Sequence, residues 1–176
     1  MNLSNSNLSG SNLSFANLSN TDLSNANLSF TSLIKVKGYI ANLNSANLEG
    51  ADLTNARFNG SNLTKANLSD ATLINTVFAK INGEKIILDG ANIKYTKFRG
   101  AKLIQSKFSG GYFNMVDFSG SDLTGSEMIA VDLRNSIFVS AILDNVNFSE
   151  SNVSGMNFAN FNLTETMFLN SIMCDT

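Results

Sequence analysis

The sequence predicts a single all-β domain in which the chain winds as a solenoid of four-sided coils. Three observations predict it: a five-residue frame that holds from Leu3 to Met173, a small residue two positions before each large one, and side chains of one type that recur every twenty residues. A chain of 176 residues is long enough for one ordinary domain. We therefore treat residues 1–176 as one domain.

The five-residue frame places one large apolar side chain in almost every phrase. Of the 35 positions from Leu3 to Met173 that are five apart, 19 are Leu and 10 are Phe, and only Gly38 and Gly83 lack a large side chain. Two residues earlier, 26 of 35 positions are Ala, Ser, Thr or Gly. Side chains two apart in an extended chain point the same way, so both residues face inward and the chain turns once per phrase. Each winding then buries its apolar edge against the windings above and below it.

The spacing of the aromatic residues indicates how many phrases close one coil. Six Phe residues follow one another at intervals of twenty: Phe58, Phe78, Phe98, Phe118, Phe138 and Phe158. We expect their rings to stack along one inner wall, one ring per coil. A second wall carries Leu at the same interval and is interrupted by Gly83. A coil of four phrases therefore gives walls that are chemically uniform.

Four phrases carry a resemblance to a known family: "ANLEG" at 46–50, "ADLTN" at 51–55, "ANLSD" at 66–70 and "ANIKY" at 91–95. They resemble the A(D/N)LXX motif of pentapeptide-repeat proteins, and the resemblance covers essentially the whole chain. The Leu/Phe-rich phrases and the closing "SIMCDT" look most like cyanobacterial members. The resemblance implies a right-handed quadrilateral β-helix of about nine coils, roughly 40 Å tall at about 4.8 Å per coil.

Two segments, 34–40 and 79–88, depart from the frame and are expected to be irregular. In each, Gly occupies the large position and a β-branched residue, Val36 or Ile81, occupies the small one. This exchange conserves interior volume, which protein cores tolerate. The second segment also carries Ile86 without a compensating Gly, so a protruding bulge at 79–88 is an equal alternative. Protruding segments on a rigid scaffold are where binding tends to concentrate.

Charge is distributed in zones, although the net charge is only −2. Residues 35–107 carry eleven Lys or Arg and five Asp or Glu, whereas residues 108–176 carry one Arg and eight acids. Three cations precede acids by twenty residues and are predicted to attract them across adjacent coils: Lys97 with Asp117, Lys102 with Asp122 and Lys107 with Glu127. Four cations lack an acid at that offset and form the candidate binding surface: Lys80, Lys85, Lys94 and Arg99.

The composition removes several classes of chemistry. The chain has no His and a single Cys, Cys174, so it lacks a Ser/His or Cys/His pair, a histidine metal ligand and the paired Cys of a zinc site or disulfide. Neither a phosphate loop closed by a Gly-Lys pair nor a pair of catalytic carboxylates is evident. We predict no catalytic residue, no metal and no cofactor, and we expect that the protein is not an enzyme.

The N-terminal sequence "MNLSNSNLSG" carries neither a basic region nor an apolar run, and nowhere do eighteen apolar residues run together. These observations favour a cytoplasmic protein with no membrane segment. A lumenal or exported location is the alternative if a presequence has been removed.

These features favour a rigid scaffold or protein-binding module whose partner is unidentified. The alternative is a resemblance to family members that mimic duplex DNA and protect or inhibit a type II topoisomerase. The acidic C-terminal third fits that alternative, but the basic middle zone does not, and we expect no direct nucleic-acid binding. Unpaired coil edges and the outward Phe15 and Phe30 add the hypothesis of contact between molecules, including a homodimer through a coil end.

Overall fold

The computed structural model describes all residues from 1 to 176 and contains two short strands and no helix. Strand β1 spans Asn92–Lys94 and strand β2 spans Tyr112–Asn114. The two strands pair in parallel, and Ile93 of β1 lies opposite Phe113 of β2. The pairing therefore joins residues that are twenty positions apart.

Elsewhere the chain is extended for single residues between turns, and these residues form a ladder with the same offset. The parallel pairs run from Asn2 with Asp22 to Asn152 with Ile172. Four phrases thus make one coil of a β-helix solenoid, as the recurrence of Phe predicted. The right-handed sense and the number of coils stay predictions from the resemblance.

A turn follows each large residue because the fifth residue of the phrase takes the left-handed conformation. Every fifth residue from Asn5 to Asp175 has a φ between 52° and 77°, with the exceptions of Asn135 and Asn160. The residue before the large one supports the turn where it is Asn or Asp. Its Oδ1 accepts a hydrogen bond from the backbone N–H two residues later, as Asn2 does from Ser4 (2.9 Å). This bond explains why Asn and Asp are so frequent at that position.

Most Ser and Thr residues at the small inward position are buried, and most of their hydroxyl groups are hydrogen-bonded. Several donate to a carbonyl oxygen 23 residues earlier, as Ser61 does to Gly38 (2.6 Å) and Ser151 does to Met128 (2.6 Å). The bond joins two adjacent coils, so a small polar residue of this kind leaves no unsatisfied group in the core.

Five of the six Phe residues in the expected ladder form a continuous stack. From Phe58 to Phe138, successive ring centroids lie 5.1 to 5.9 Å apart, with interplanar angles of 6° to 25°. Contrary to the prediction, Phe158 is not the sixth ring of the stack. Its ring instead lies edge-on to Phe161 at 6.3 Å and to Phe168 at 5.4 Å. Phe161 stands where most phrases have a small residue, so the interior of this coil is filled differently.

The segments 34–40 and 79–88 are regular, contrary to the expectation from sequence. Both keep the turns and the twenty-residue pairing of their neighbours. Ile86 is fully buried, so no bulge protrudes from 79–88. A Cβ on Gly83 would lie 3.1 Å from the side chains of both Ile81 and Leu103. Neighbouring side chains therefore fill the space that the Gly leaves, and the ladder continues through the sequence break.

Candidate functional site

The four residues of the candidate binding surface do not form one surface. Lys94 lies in β1, whereas Lys80 and Lys85 occupy two different corners of the coil, each with a left-handed φ. Arg99 is also not an unpaired charge, because its Nε donates a hydrogen bond to Asp117 Oδ2. Lys80 and Lys85 thus lie at corners of the coil and Lys94 lies in a strand. The charge of Arg99 is neutralised by Asp117.

The ion pairs between coils follow two offsets, and only one of them was predicted. Lys107 Nζ lies 3.7 Å from Glu127 Oε2 at the expected offset of twenty. Lys102 instead donates to Glu84 Oε2 (3.0 Å), and Asp117 pairs with Arg99, both at an offset of 18. The diagonal offset arises because residues on either side of the large position face the same way on adjacent coils.

Asp117 is the most buried carboxylate of these pairs, with a side chain that is 7% exposed. Burial alone would raise its pKa, but hydrogen bonds from Ser119 and Arg99, with the charge of Arg99, hold the pKa below its ordinary value. The backbone N–H of Ser119 donates to Asp117 Oδ1 (3.0 Å). Asp117 is therefore a satisfied structural carboxylate with no free acid or base function.

The ladder between coils opens above residues 137–143. In the preceding coil, Phe118 N–H donates to Ile137 O (2.7 Å) and Gly120 N–H donates to Val139 O (2.8 Å). The equivalent donors one coil later, Phe138 N–H and Ser140 N–H, have no hydrogen-bond acceptor in the protein. The residue pairs at 137/157 and 142/162 are also absent from the ladder. The coil that begins near residue 156 is therefore detached along part of two walls.

The corners beside this opening are also altered. Asn135 and Asn160 are the two phrase-ending residues that do not take a positive φ. Two inward positions nearby carry bulky residues in place of small ones, Met156 and Phe161. The coil in which the ladder is lost is therefore also the one in which these two bulky side chains replace small ones.

The opening forms a groove of about 600 Å³, which we call the coil gap and define as the space between residues 134–140 and 155–161. Phe138 and Met156 are buried in its walls, whereas Ile137 and Val139 are 45% and 67% exposed. Its rim therefore combines apolar side chains with unpaired backbone donors.

Ser136 shows the effect of the same disruption on the inside of the coil. Its hydroxyl group is buried without a hydrogen-bond partner. The acceptor 23 residues earlier would be the carbonyl group of Phe113, but the chain at 112–115 does not pair with 132–135. The Ser136 hydroxyl group therefore lacks its acceptor because the two coils are separated at this point. No acid or base lies in hydrogen-bond contact with it to make it a nucleophile.

The coil gap was not predicted from the sequence, although the sequence carries a signal for it. Met156 and Phe161 are, apart from Met1, the only Met and Phe residues at the small inward positions. The large positions 158 and 163 carry the usual Phe and Leu, so the five-residue frame shows no break there. The signal therefore lies in the small positions alone.

Two further features bear on the chemistry of the chain. It contains no group of three or more Cys, Asp or Glu that could hold a metal ion. None of its segments is a helix able to span a membrane.

Solved structures with a similar fold are known. HetL, a pentapeptide repeat protein involved in heterocyst differentiation regulation from the cyanobacterium Nostoc sp. strain PCC 7120, matches with a TM-score of 0.56 and 22% identity, over 98% of this chain and 86% of HetL. A trypsin-treated variant of QnrB1, a plasmid-mediated fluoroquinolone resistance protein, matches with a TM-score of 0.69 and 19% identity, over 90% of this chain and 77% of QnrB1. At these identities the likeness shows the fold alone.

Family models agree with the repeat frame. The model of a pentapeptide repeat region matches residues 51–128, and the model of eight pentapeptide repeats matches residues 2–37 and 141–176. A comparison with curated protein sequences finds no match. The two models together span most of the chain, and residue pairs at an offset of twenty occur in the regions that both models match. The chain belongs to the pentapeptide repeat family.

Proposed function

We propose that the protein is a non-enzymatic scaffold that binds a protein partner at the coil gap. The observation that carries the proposal is the loss of pairing above Phe138 and Ser140, which leaves backbone donors at the rim of an apolar groove. Unpaired strand edges are templates for another extended chain, and such segments commonly bind by adding a strand to an exposed edge.

The chemistry of the rim favours an extended apolar segment as the bound part of the partner. Backbone pairing would supply affinity, and alternate side chains of the segment would contact Ile137 and Val139, which are both exposed. Arg134 at the end of the groove is neutralised by Asp132 (2.7 Å), so the rim does not select strongly for charge. Arg134 in turn holds the pKa of Asp132 below its ordinary value, which keeps this carboxylate ionised.

The packed interior supports a role without catalysis. Stacked rings and Leu side chains fill the coils, and Ser136, the orphaned hydroxyl group beside the coil gap, has no neighbouring base. Proton transfer near neutral pH normally relies on His or on a carboxylate whose pKa is raised. The chain has no His, and each carboxylate with a resolved pKa shift is shifted downward.

Mimicry of duplex DNA is the second candidate function, supported by the eight acids of the C-terminal third. The exposed apolar residues Ile137, Val139 and Ile142 interrupt that acidic surface, so we place it behind protein binding. A supercoiling assay with a type II topoisomerase tests it. Inhibition or protection at micromolar concentrations of this protein would reverse the order of the two functions.

A matched pair of variants tests the protein-binding proposal. Val139 and Ile40 are equally exposed, at 67%, but Ile40 lies far along the chain from the coil gap. The wild-type protein and the variants Val139→Asp and Ile40→Asp are used in affinity capture from the source cell with quantitative mass spectrometry. We expect Val139→Asp to lose the specific partner and Ile40→Asp to retain it. Equal capture by all three proteins would contradict the proposed site.

Two further proposals complete this function. We propose a cytoplasmic location, which cell fractionation with an antibody tests. We also propose an additional contact between two copies through the last coil, supported by the exposed side chains of Leu169 and Ile172. Light scattering across a concentration series measures this association, and Leu169→Asp is expected to weaken it.

A further inference from the structure

Two positively charged residues, Lys37 and Arg57, face each other on adjacent coils in the N-terminal half of the chain, far along the chain from the coil gap. Lys37 and Arg57 are partners in the ladder, and both are exposed. Backbone bonds fix the register, because Arg57 N–H donates to Val36 O (2.9 Å) and Gly38 N–H donates to Arg57 O (2.8 Å). Adjacent strands are about 4.8 Å apart, and like charges directly opposite each other on such strands are destabilising. It is the one pair of ladder partners in which both residues carry charge of the same sign.

The charges of Lys37 and Arg57 are not neutralised within the protein. Neither residue takes part in any of the four ion pairs. Glu84 offers a contrast, since its pKa is lowered first by Lys102, which donates a hydrogen bond to it, and then by the charges of the corner residues Lys85 and Lys65. The lysines around Glu84 therefore have an acid among them, whereas Lys37 and Arg57 form no ion pair.

The surroundings of this pair form a concavity that supplies further donors. A hollow of about 500 Å³ is lined by both cations together with Lys35, Tyr39 and Asn55. The Lys35 ammonium lies 5.4 Å from the centre of the Phe15 ring, so its charge is held at the edge of the hollow. The phenol of Tyr39 and the amide of Asn55 can each donate a hydrogen bond.

We propose that this hollow binds a phosphate group, free or carried as a phosphate monoester. A guanidinium group recognises phosphate oxygens with two parallel N–H bonds, and an adjacent ammonium adds a point charge. Near neutral pH a phosphate monoester carries a charge of about −1.5 to −2, which offsets the charges of the two facing cations. The site lies on residues 35–57 and is separate from the coil gap, so it stands or fails independently of the proposed protein-binding function.

Titration with phosphate at constant ionic strength tests the site. Backbone amide shifts of ¹⁵N-labelled protein are followed against inorganic phosphate and, in a second arm, against phosphoserine. We expect saturable shifts at residues 37–39 and 55–57, with binding about tenfold weaker for Arg57→Gln and for Lys37→Gln, because each variant removes one charged donor to the phosphate. Lys94→Gln removes the same charge from another wall and is expected to leave the affinity within about twofold. The two arms distinguish a site for the free ion from one that also accepts an ester.

A pH series tests whether the second negative charge of the ligand contributes to binding. The chain has no His, so a fall in the affinity for phosphoserine between about pH 7.5 and 5.5 reports the second ionisation of that ligand, which has a pKa near 6. Sulfate stays a dianion over this range and is expected to bind equally at both values. In phosphate-free buffer of low ionic strength, we expect Arg57→Gln to unfold at no lower temperature than the wild-type protein, because a repulsion is removed. Equal weakening by Lys94→Gln, or shifts that NaCl reproduces, would overturn the proposal.

Discussion

The ring of Phe58 occupies the space that a side chain on Gly38 would need. A Cβ built on Gly38 would overlap with Cε1 and Cδ1 of that ring, and Gly38 itself is buried. Phe58 is also the first ring of the stack that continues through Phe78. The interruption of the large positions at residue 38 is therefore a packing consequence of where the aromatic stack begins.

Restoring the repeat consensus at residue 38 is expected to destabilise the protein. Gly38→Leu forces an extra side chain against Phe58, and overpacking of this kind costs about 1 to 3 kcal/mol. Phe58→Leu in the same chain frees the space and is expected to recover most of the loss. Urea unfolding of the wild type, both single variants and the double variant gives the coupling energy. Additive losses would show that the two side chains do not compete for one space.

We expect that removing Phe98, a ring inside the stack, lowers the free energy of unfolding more than removing Phe158, a ring outside it. Phe98 is fully buried between Phe78 and Phe118. Phe98→Ala would leave a cavity and is expected to lower the free energy of unfolding by about 3 to 5 kcal/mol. Phe158 is partly buried and lies outside the stack, so Phe158→Ala is expected to cost clearly less. Denaturant unfolding measures both. Equal losses, or a loss below about 1 kcal/mol for Phe98→Ala, would contradict the stacked arrangement.

Stability is expected to fall in acid partly through Asp117. Because the pKa of this carboxyl group in the folded protein lies below its ordinary value of 3.8, Asp117 stabilises the fold fully above that value. The contribution is lost as the pH falls through the lowered pKa. Asp117→Asn is therefore expected to flatten the decline of unfolding free energy below about pH 4, and Arg99→Gln to flatten part of it. Identical pH profiles for the wild type and Asp117→Asn would refute this role.

Exchange of charges can establish which acid Lys102 contacts. The structure pairs Lys102 with Glu84 at 3.0 Å, whereas the twenty-residue offset alone selects Asp122. Lys102→Glu is expected to lower the unfolding midpoint slightly, and the added change Glu84→Lys to restore it. Asp122→Lys in the same background is expected to restore less. If Asp122→Lys restores the midpoint more than Glu84→Lys does, Lys102 pairs with the acid twenty residues away and not with the one eighteen residues away.

Hydrogen exchange is expected to reveal the coil gap in solution. Phe138 N–H and Ser140 N–H have no acceptor, whereas Phe118 N–H and Gly120 N–H donate to the next coil. We expect the first two amides to exchange about a hundredfold faster than the second two, since unbonded amides at a detached edge have little protection. Amide exchange followed by NMR or mass spectrometry measures the ratio. Similar protection in all four would show that the two coils close in solution.

The regular part of the fold could be predicted because each coil repeats the same pattern of inward-facing and turn-forming residues. A large inward residue, a small partner two earlier and an Asn or Asp that supports the turn recur along the chain, and each step buries the same apolar edge. The recurrence of Phe at intervals of twenty predicted the stack from Phe58 to Phe138. Of the two alternatives at 79–88, the protruding bulge did not form, since Ile86 is fully buried and Ile81 and Leu103 fill the space beside Gly83.

The sequence by itself determined the repeat, the coil of four phrases and the residues that face inward, since these depend on periodicity along the chain. Only the tertiary structure decided where neighbouring coils separate and which charges meet. The coil gap is the loss of pairing between residues 137 and 157 and between 142 and 162, which belong to two adjacent coils. The pairing of Arg99 with Asp117 depends on a diagonal between two coils. Both features depend on distances between residues remote in the chain, which a local pattern of five residues does not contain.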